Sequence, residues 1–352
     1  MLHDASGAGP DEKLAAIGEI LGHIADDARG LAPSPFVPGA MPWGEAGFLA
    51  AIEAEDEARA AALIRGALEA GHAARDLAPS LFTAALAHYQ DFGHSLIYSV
   101  KAVALIERLG PQNAEPLLLA LVRSLIYASR EDLLPEFRDY RERFAAWGHP
   151  APAPPPFQAE VLRRGSARTA MAAVAAWSAS HEPQEIFPVL VEAAAWALLH
   201  VDAAALTRTD GKIAGNVGWL DFTHALTFAE AGRQAAAMKV ALWPAVLLQL
   251  ACFIGRNSTW LDPDIDGAAF AVADPRTFID QSKAGLFDHG RDGFIISVHV
   301  LKTLMAAEAL AAAMPEHAAT LHAAINRFVH APMKRRHVLR TARQMRAFVA
   351  EE

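Results

Sequence analysis

The strongest constraint on this chain is the period of its apolar residues. Through residues 14–28, 48–68, 81–109 and 115–127, and again in many later segments, they recur at steps of three and four. Such a stripe covers one face of an α-helix and does not fit a strand, where the period is two. Alanine and other strong helix formers fill the remaining positions, while runs of Val, Ile, Thr and Tyr at strand spacing are nearly absent. The expected fold is all-α, a bundle of many helices. With 352 residues, 53% of them hydrophobic, the chain can build a thick core, either as two domains or as one large one.

Charge and cysteine content remove several functional classes. Lys and Arg number 31 against 40 for Asp and Glu, a formal charge of −9 and an acidic balance that argues against general nucleic-acid binding. The single cysteine, Cys252, excludes an intramolecular disulfide, a thiolate zinc cluster and a self-held iron–sulfur centre. The opening residues show no charged-then-apolar signal pattern, so a cytoplasmic protein is expected. Apolar stretches at 187–199 and 238–254 are broken by Glu192, or by Lys239, Pro244 and Gln249, and read as core helices rather than membrane spans. No GxGxxG, Walker, GxSxG or HExxH pattern occurs in a suitable setting.

Proline and glycine divide the chain. An N-terminal helix and proline-containing loop (1–40) precede a first helical half (41–148). A proline-rich linker (149–157) follows, then a second helical half (158–310) and basic C-terminal helices (311–352). Within the second half, 257–288 is irregular and too long for a plain connector, so it reads as a lid. The halves echo each other: Asp91-Phe-Gly-His94 before the linker matches Asp221-Phe-Thr-His224 after it. A histidine precedes each, His72 and His200, and an arginine ends a later apolar helix in each, Arg130 and Arg256. A duplication would bring equivalent histidines together near a pseudo-twofold axis.

Fifteen histidines are present, and four of them, His94, His200, His224 and His299, sit in strongly apolar helical text. Burial favours the neutral imidazole, the form that ligates metals. Each could instead be a core histidine bonded to a carbonyl or carboxylate, but a shared metal would satisfy all of them at once. Asp91 and Asp221 stand one turn before His94 and His224, suited either to orient a histidine ring or to cap a helix. His299 and Lys302 share one face of an otherwise apolar helix. Lys302 either snorkels to water or is buried. If buried, its amine is a nucleophile able to take up carbon dioxide as a carbamate, a carboxylate on a long stem. His88 and His181 stand in more polar text and read as surface residues.

Four segments resemble the questin oxidase-like family of non-haem oxygenases. His94-Ser-Leu-Ile-Tyr-Ser-Val-Lys-Ala-Val resembles its HGLIRxxHAxR helix, and the apolar helix ending at His200 resembles another. Phe222-Thr-His224-Ala-Leu-Thr is similar to its FxHxxT segment, and Val298-His299-Val-Leu-Lys302-Thr to its HxxK ending. Lys101 replaces the second histidine of the first motif, and His72 is the one candidate for a missing N-terminal ligand. The resemblance implies an iron site of histidines and a carboxylated lysine, here His94, His200, His224, His299 and Lys302, acting on aromatic polyketides.

Histidine-rich ligation with one anionic ligand suits Fe(II) and dioxygen chemistry on an aromatic or polycyclic small molecule. Tyr98, Trp219, Phe222 and Trp260 are candidate walls for such a substrate, and Arg256, with Arg130, a candidate anchor for a phenolate. The loop 257–288, with His289 just after it, is the candidate gate. Arg327, Lys334, Arg335, Arg336, Arg340, Arg343 and Arg346 follow one another with no acid between them, a possible dock for an acidic electron-transfer partner such as a ferredoxin. Two rivals stand beside this reading: a histidine-rich metal-dependent hydrolase, and a non-enzymatic helical-repeat binding protein whose histidines would scatter.

Overall fold

A computed structural model of the chain describes residues 9–207, 217–288 and 294–331. Among these the architecture is all-α, with sixteen α-helices and, in place of strands, two isolated β-bridges. In order the helices are α1 (Pro10–Ala28), α2 (Glu45–Glu53), α3 (Glu57–Glu69), α4 (Ala74–Leu86), α5 (His94–Leu109), α6 (Ala114–Ile126), α7 (Tyr140–Ala145) and α8 (Ala159–Arg163). There follow α9 (Ala167–Trp177), α10 (Pro183–Leu199), α11 (Ala203–Thr207), α12 (Trp219–Met238), α13 (Trp243–Asn257), α14 (Pro275–Ala284), α15 (Phe294–Ala313) and α16 (Ala318–His330). Local chemistry sets many of the starts. Asp56, Ser166 and Asp274 each accept the backbone N–H three residues on, and Pro10, Pro183 and Pro275 occupy first turns, where no amide donor is needed.

One unit recurs: a long helix, a single 3-10 turn, and a second helix packed back on the first. It is built by α5 and α6 around Pro111–Asn113, by α12 and α13 around Val240–Leu242, and by α15 and α16 around Pro315–His317. The joints share their hydrogen bonds. Gly110, Lys239 and Met314 each donate to the carbonyl four residues back, and each accepts from the amide three residues on. The first two units also share a clasp. Asp91 donates to Ser129 and Asp132 to Tyr89 in one, and Asp202 to Trp260 and Asp262 to His200 in the other. The third unit carries His299 in the second turn of α15, as His224 stands in the second turn of α12.

Helix α12 is the hub, packed against α5, α10, α13 and α15. Every residue from Phe222 to Gly232 is buried, so this helix has no solvent stripe along its middle turns. Gly232 lets α13 approach closely: a Cβ there would lie 2.4 Å from a Val246 methyl. The segments Val240–Trp260 and Ile295–Ala313 are long and apolar enough to cross a membrane by length and composition, and most of each is buried inside the fold.

Two segments read from the sequence as linker and lid are tied into the fold. The proline-rich passage 149–157 is fastened rather than free, since Trp177 donates its indole N–H to the Pro155 carbonyl and Phe157 stacks on His181. The irregular stretch 257–288 is folded, containing α14 and the 3-10 turn Gly267–Phe270. It is tied down where Asn326 donates to the Phe270 carbonyl and Lys283 pairs with Glu308. Of the basic C-terminal series only Arg327 lies among the described residues. It is buried, donating to the carbonyls of Leu199 and Val201, and is not available to a docking partner. The other basic residues of the series, and His289, lie outside the described residues.

Candidate metal centre

Three of these helix pairs each contribute one histidine to a common point. His94 opens α5, while His224 and His299 stand in the second turns of α12 and α15. Nε2 of His224 lies 2.9 Å from Nε2 of His94 and 3.4 Å from Nε2 of His299. The three ligand nitrogens all fall within 4.8 Å of one another. The rings meet edge to face, with centroids 4.6 Å apart for His94 and His224 and 5.1 Å for His224 and His299.

The opposite ring nitrogens explain the orientation. Nδ1 of His224 lies 2.5 Å from the Leu220 carbonyl, and Nδ1 of His299 lies 2.6 Å from the Ile295 carbonyl, each one turn back on its own helix. A carbonyl only accepts, so Nδ1 of His224 and of His299 carries the proton and Nε2 of each presents a lone pair. Those lone pairs meet Nε2 of His94 and the Lys302 amine at one point, a set of nitrogens that could hold a metal ion.

Electrostatics keep the rings neutral. Burial first, and then the Lys302 amine, push His94 and His299 down to about 4, and the same causes hold His224 well below the usual imidazole value. Lys302 is half-buried, with Nζ 3.2 Å from Nε2 of His224, and burial pushes its amine down to about 8. Its amine thus faces the rings rather than reaching free into solvent.

A strained turn sets His94. Asp91, Phe92 and Gly93 all have positive φ, at 49°, 51° and 74°. For the two non-glycine residues that conformation costs about 1–2 kcal/mol each, so other contacts must hold them. Phe92 donates its N–H to Glu131 at 3.0 Å, its ring lies under the Arg256 guanidinium at 4.1 Å, and Arg256 in turn donates to Glu131 and to the Tyr89 hydroxyl. At Gly93 a side chain would strike Phe228 at 2.6 Å and Phe253 at 3.0 Å. The outer face of His94 is covered by Tyr98, half exposed and stacked at 5.1 Å.

The remaining sequence candidates lie elsewhere or do other work. His200 is not in the cluster; its ring stacks on Trp196 at 3.9 Å and Nδ1 meets the Trp196 carbonyl. His72 is exposed after α3. The Asp91 carboxylate stays 3.9 Å from Nδ1 of His94, beyond a hydrogen bond. Asp221 accepts from the Gly218 N–H, so its capping role holds. Phe222 and Trp219 are buried core aromatics, the latter against Phe328, and Trp260 is half-buried in the turn after α13. Arg256 is spent on Glu131, Tyr89 and Phe92, which removes it as a substrate anchor, and Arg130 is spent on Asp132. His88, expected at the surface, is buried between Glu53 at 2.6 Å and Asp132 at 3.0 Å. Sequence reasoning missed the strained turn and Glu131. The Phe-Gly of the Asp91–His94 motif was the available signal for the turn.

The donor set fits a first-row transition metal. Imidazole ligands about 2.0–2.2 Å from one ion at right-angle to tetrahedral spacing stand about 2.8–3.6 Å from each other, the range the closer Nε2 pairs occupy. These rings need only small movements to ligate. No protein-family model, curated protein or solved structure matches this chain. The reading of the site accordingly rests on its own geometry.

Proposed function

We propose that the protein is a metal-dependent oxygenase, holding iron(II) on His94, His224 and His299 and acting on an aromatic or polycyclic small molecule. The observation that carries the reading is the convergence of three imidazole Nε2 atoms from three helices, with the His224 and His299 rings fixed by carbonyl bonds at their other nitrogen. The repeat-scaffold rival calls for scattered histidines, and a hydrolase would draw on ionised carboxylates beside the metal, whereas the Asp91 carboxylate stands 3.9 Å back from His94 and no carboxylate joins the cluster among the described residues.

In this reading Lys302 supplies the anionic ligand. An ammonium beside a divalent ion would be repelled, and in a buried site that repulsion is poorly screened. Reaction of the neutral amine with carbon dioxide forms a C–N bond, releases one proton to solvent and turns a repelling cation into an attracting carboxylate. Bound iron(II) would supply the redox chemistry that dioxygen requires. The chain's own residues do the rest. The Leu220 and Ile295 carbonyls keep the His224 and His299 imidazoles aimed, the packed interior of α12 keeps water from the inner side, and the half-exposed ring of Tyr98, stacked on His94, offers an aromatic substrate a flat partner at the rim. The experiment is oxygen uptake by iron-loaded protein over a panel of polycyclic phenols, with 18O2 labelling of product. Uptake coupled to labelled product, lost in His299→Ala, is the expected result. Loaded protein that consumes no oxygen and instead cleaves phosphoesters would replace the oxygenase with the hydrolase.

A further inference from the structure

A cavity of about 380 Å³ opens where three pieces of chain meet: the last turn of α4, the short α7, and the joint between α12 and α13. None of His94, His224, His299 and Lys302 lines it, so its chemistry is independent of the metal reading. Its size falls within the ~300–1,000 Å³ of small-molecule sites. At about 30 Å³ for each water-sized group, it holds roughly a dozen non-hydrogen atoms.

Leu86, Phe144, Leu242 and Ala245 give the cavity apolar walls. Its two side-chain hydroxyls already have partners: Tyr140 donates to the Leu86 carbonyl and accepts from Gln249, and Thr83 donates to the Pro79 carbonyl. The charged residues of the lining are both cations, Arg141 and Lys239, and no carboxylate joins them among the described residues. Their present partners hold them weakly. Lys239 donates to Thr83 at 2.9 Å and pairs with Glu45 at 3.0 Å, both side chains being partly exposed. Arg141, largely exposed, stands 3.6 Å from Glu53, beyond a hydrogen bond, and 3.4 Å from Nδ1 of His88, while Glu53 itself lies 2.6 Å from His88. Exposed pairs of this kind contribute at most about 1 kcal/mol. A guanidinium takes a carboxylate at two points, and an apolar wall beside the pair reduces its screening by water.

We propose that this cavity binds a small amphipathic carboxylate, an aliphatic or aromatic acid of roughly eight to ten carbons. The apolar body packs against Leu86, Phe144 and Leu242, and the anionic head stands beside Arg141 and Lys239. An amine of the same shape would add a third positive charge to these two. A neutral alcohol would gain from the walls alone.

The test titrates the full chain with octanoate by calorimetry, and with octan-1-ol and octylamine as probes of the same tail. A chelator is present throughout, so that no metal can take the carboxylate. Arg141→Met keeps the stem and removes the charge, while Ala241→Trp and Ala87→Trp, at exposed positions of the lining, fill the cavity. Folding of each is checked by circular dichroism, and either folded filling variant suffices. Octanoate should bind the wild type at least about tenfold tighter than the other two probes, bind Arg141→Met about tenfold more weakly, and fail to bind a filled variant. Octanol should bind Arg141→Met as it binds the wild type. The proposal would be overturned by octanoate that binds no tighter than octanol, is indifferent to the loss of Arg141, or still binds when the cavity is filled. Wild-type protein that takes up no octanoate at millimolar concentration would overturn it as well.

Discussion

The imidazole of His224 has one nitrogen spent on the Leu220 carbonyl and the other facing two more imidazoles and an amine, all inside the bundle. In metal-free protein this is a costly place for Lys302, whose charge is desolvated beside three imidazoles. Replacing Lys302 by Met keeps the stem and removes the amine. The metal-free variant should melt higher, by about 1 kcal/mol of stability, while its affinity for iron(II) falls. Thermal melts with and without metal check both halves of that prediction. Acid should act on the same residues. His94 and His299 have folded-state values near 4, below the usual imidazole value of 6.5, so the unfolded chain binds more protons between those limits. The stability they permit is fully present above about pH 6.5 and is lost as pH falls toward 4, on the order of 2 kcal/mol per ring. Denaturant titrations of metal-free protein at stepped pH should show this slope. A flat profile from pH 7 to pH 4 would contradict the burial of the rings.

At the scale of elements, the left-handed turn before α5 is where fold and site are joined. Asp91, Phe92 and Gly93 hold conformations that cost energy, and the Arg256–Glu131–Tyr89 network offsets that cost from three other segments. Gly93→Ala should destabilise the protein by about 2–4 kcal/mol, combining the positive φ with contacts against Phe228 and Phe253. It should also displace His94 and weaken metal binding more than the same change at an exposed glycine. Urea melts and metal titration of the one variant test both effects. A second acidic anchor lies beneath. Burial alone would raise the Asp132 carboxyl, but His88 and Arg130 hold it down to about 2. Its stabilising effect is present above pH 4 and is lost as pH falls toward 2. Asp132→Asn should therefore remove on the order of 2 kcal/mol at neutral pH and little at pH 2.

Across the whole molecule, what was legible from the residues is what has a period or a repeat. The three- and four-residue steps declare the all-α fold, and the paired Asp-Phe-x-His motifs place His94 and His224 in equivalent helices. The likeness of α15–α16 to α12–α13 was not legible, because it lies in the joint between helices and not in the motif. His299 has neither the Asp nor the Phe before it, and the resemblance of α15 to α12 lies in its length and in the hydrogen bonds at Met314. His200 misled for a physical reason. An apolar helix ending in histidine looks the same whether the ring turns inward to a ligand site or, as here, lies flat on the Trp196 indole. Arg256 misled likewise, since a buried guanidinium that supports a backbone turn cannot be told from a substrate anchor by its helix position.

One cation gathered by three helices is what the His94–His224–His299 cluster implies. Elemental analysis of full-length protein, purified anaerobically with iron(II) supplied and then desalted, tests it most directly. We predict close to one iron per chain in the wild type and none in His224→Ala, with a melting temperature that drops on chelation in the wild type alone. Wild-type protein that is folded, carries no metal and melts unchanged with a chelator would contradict the account.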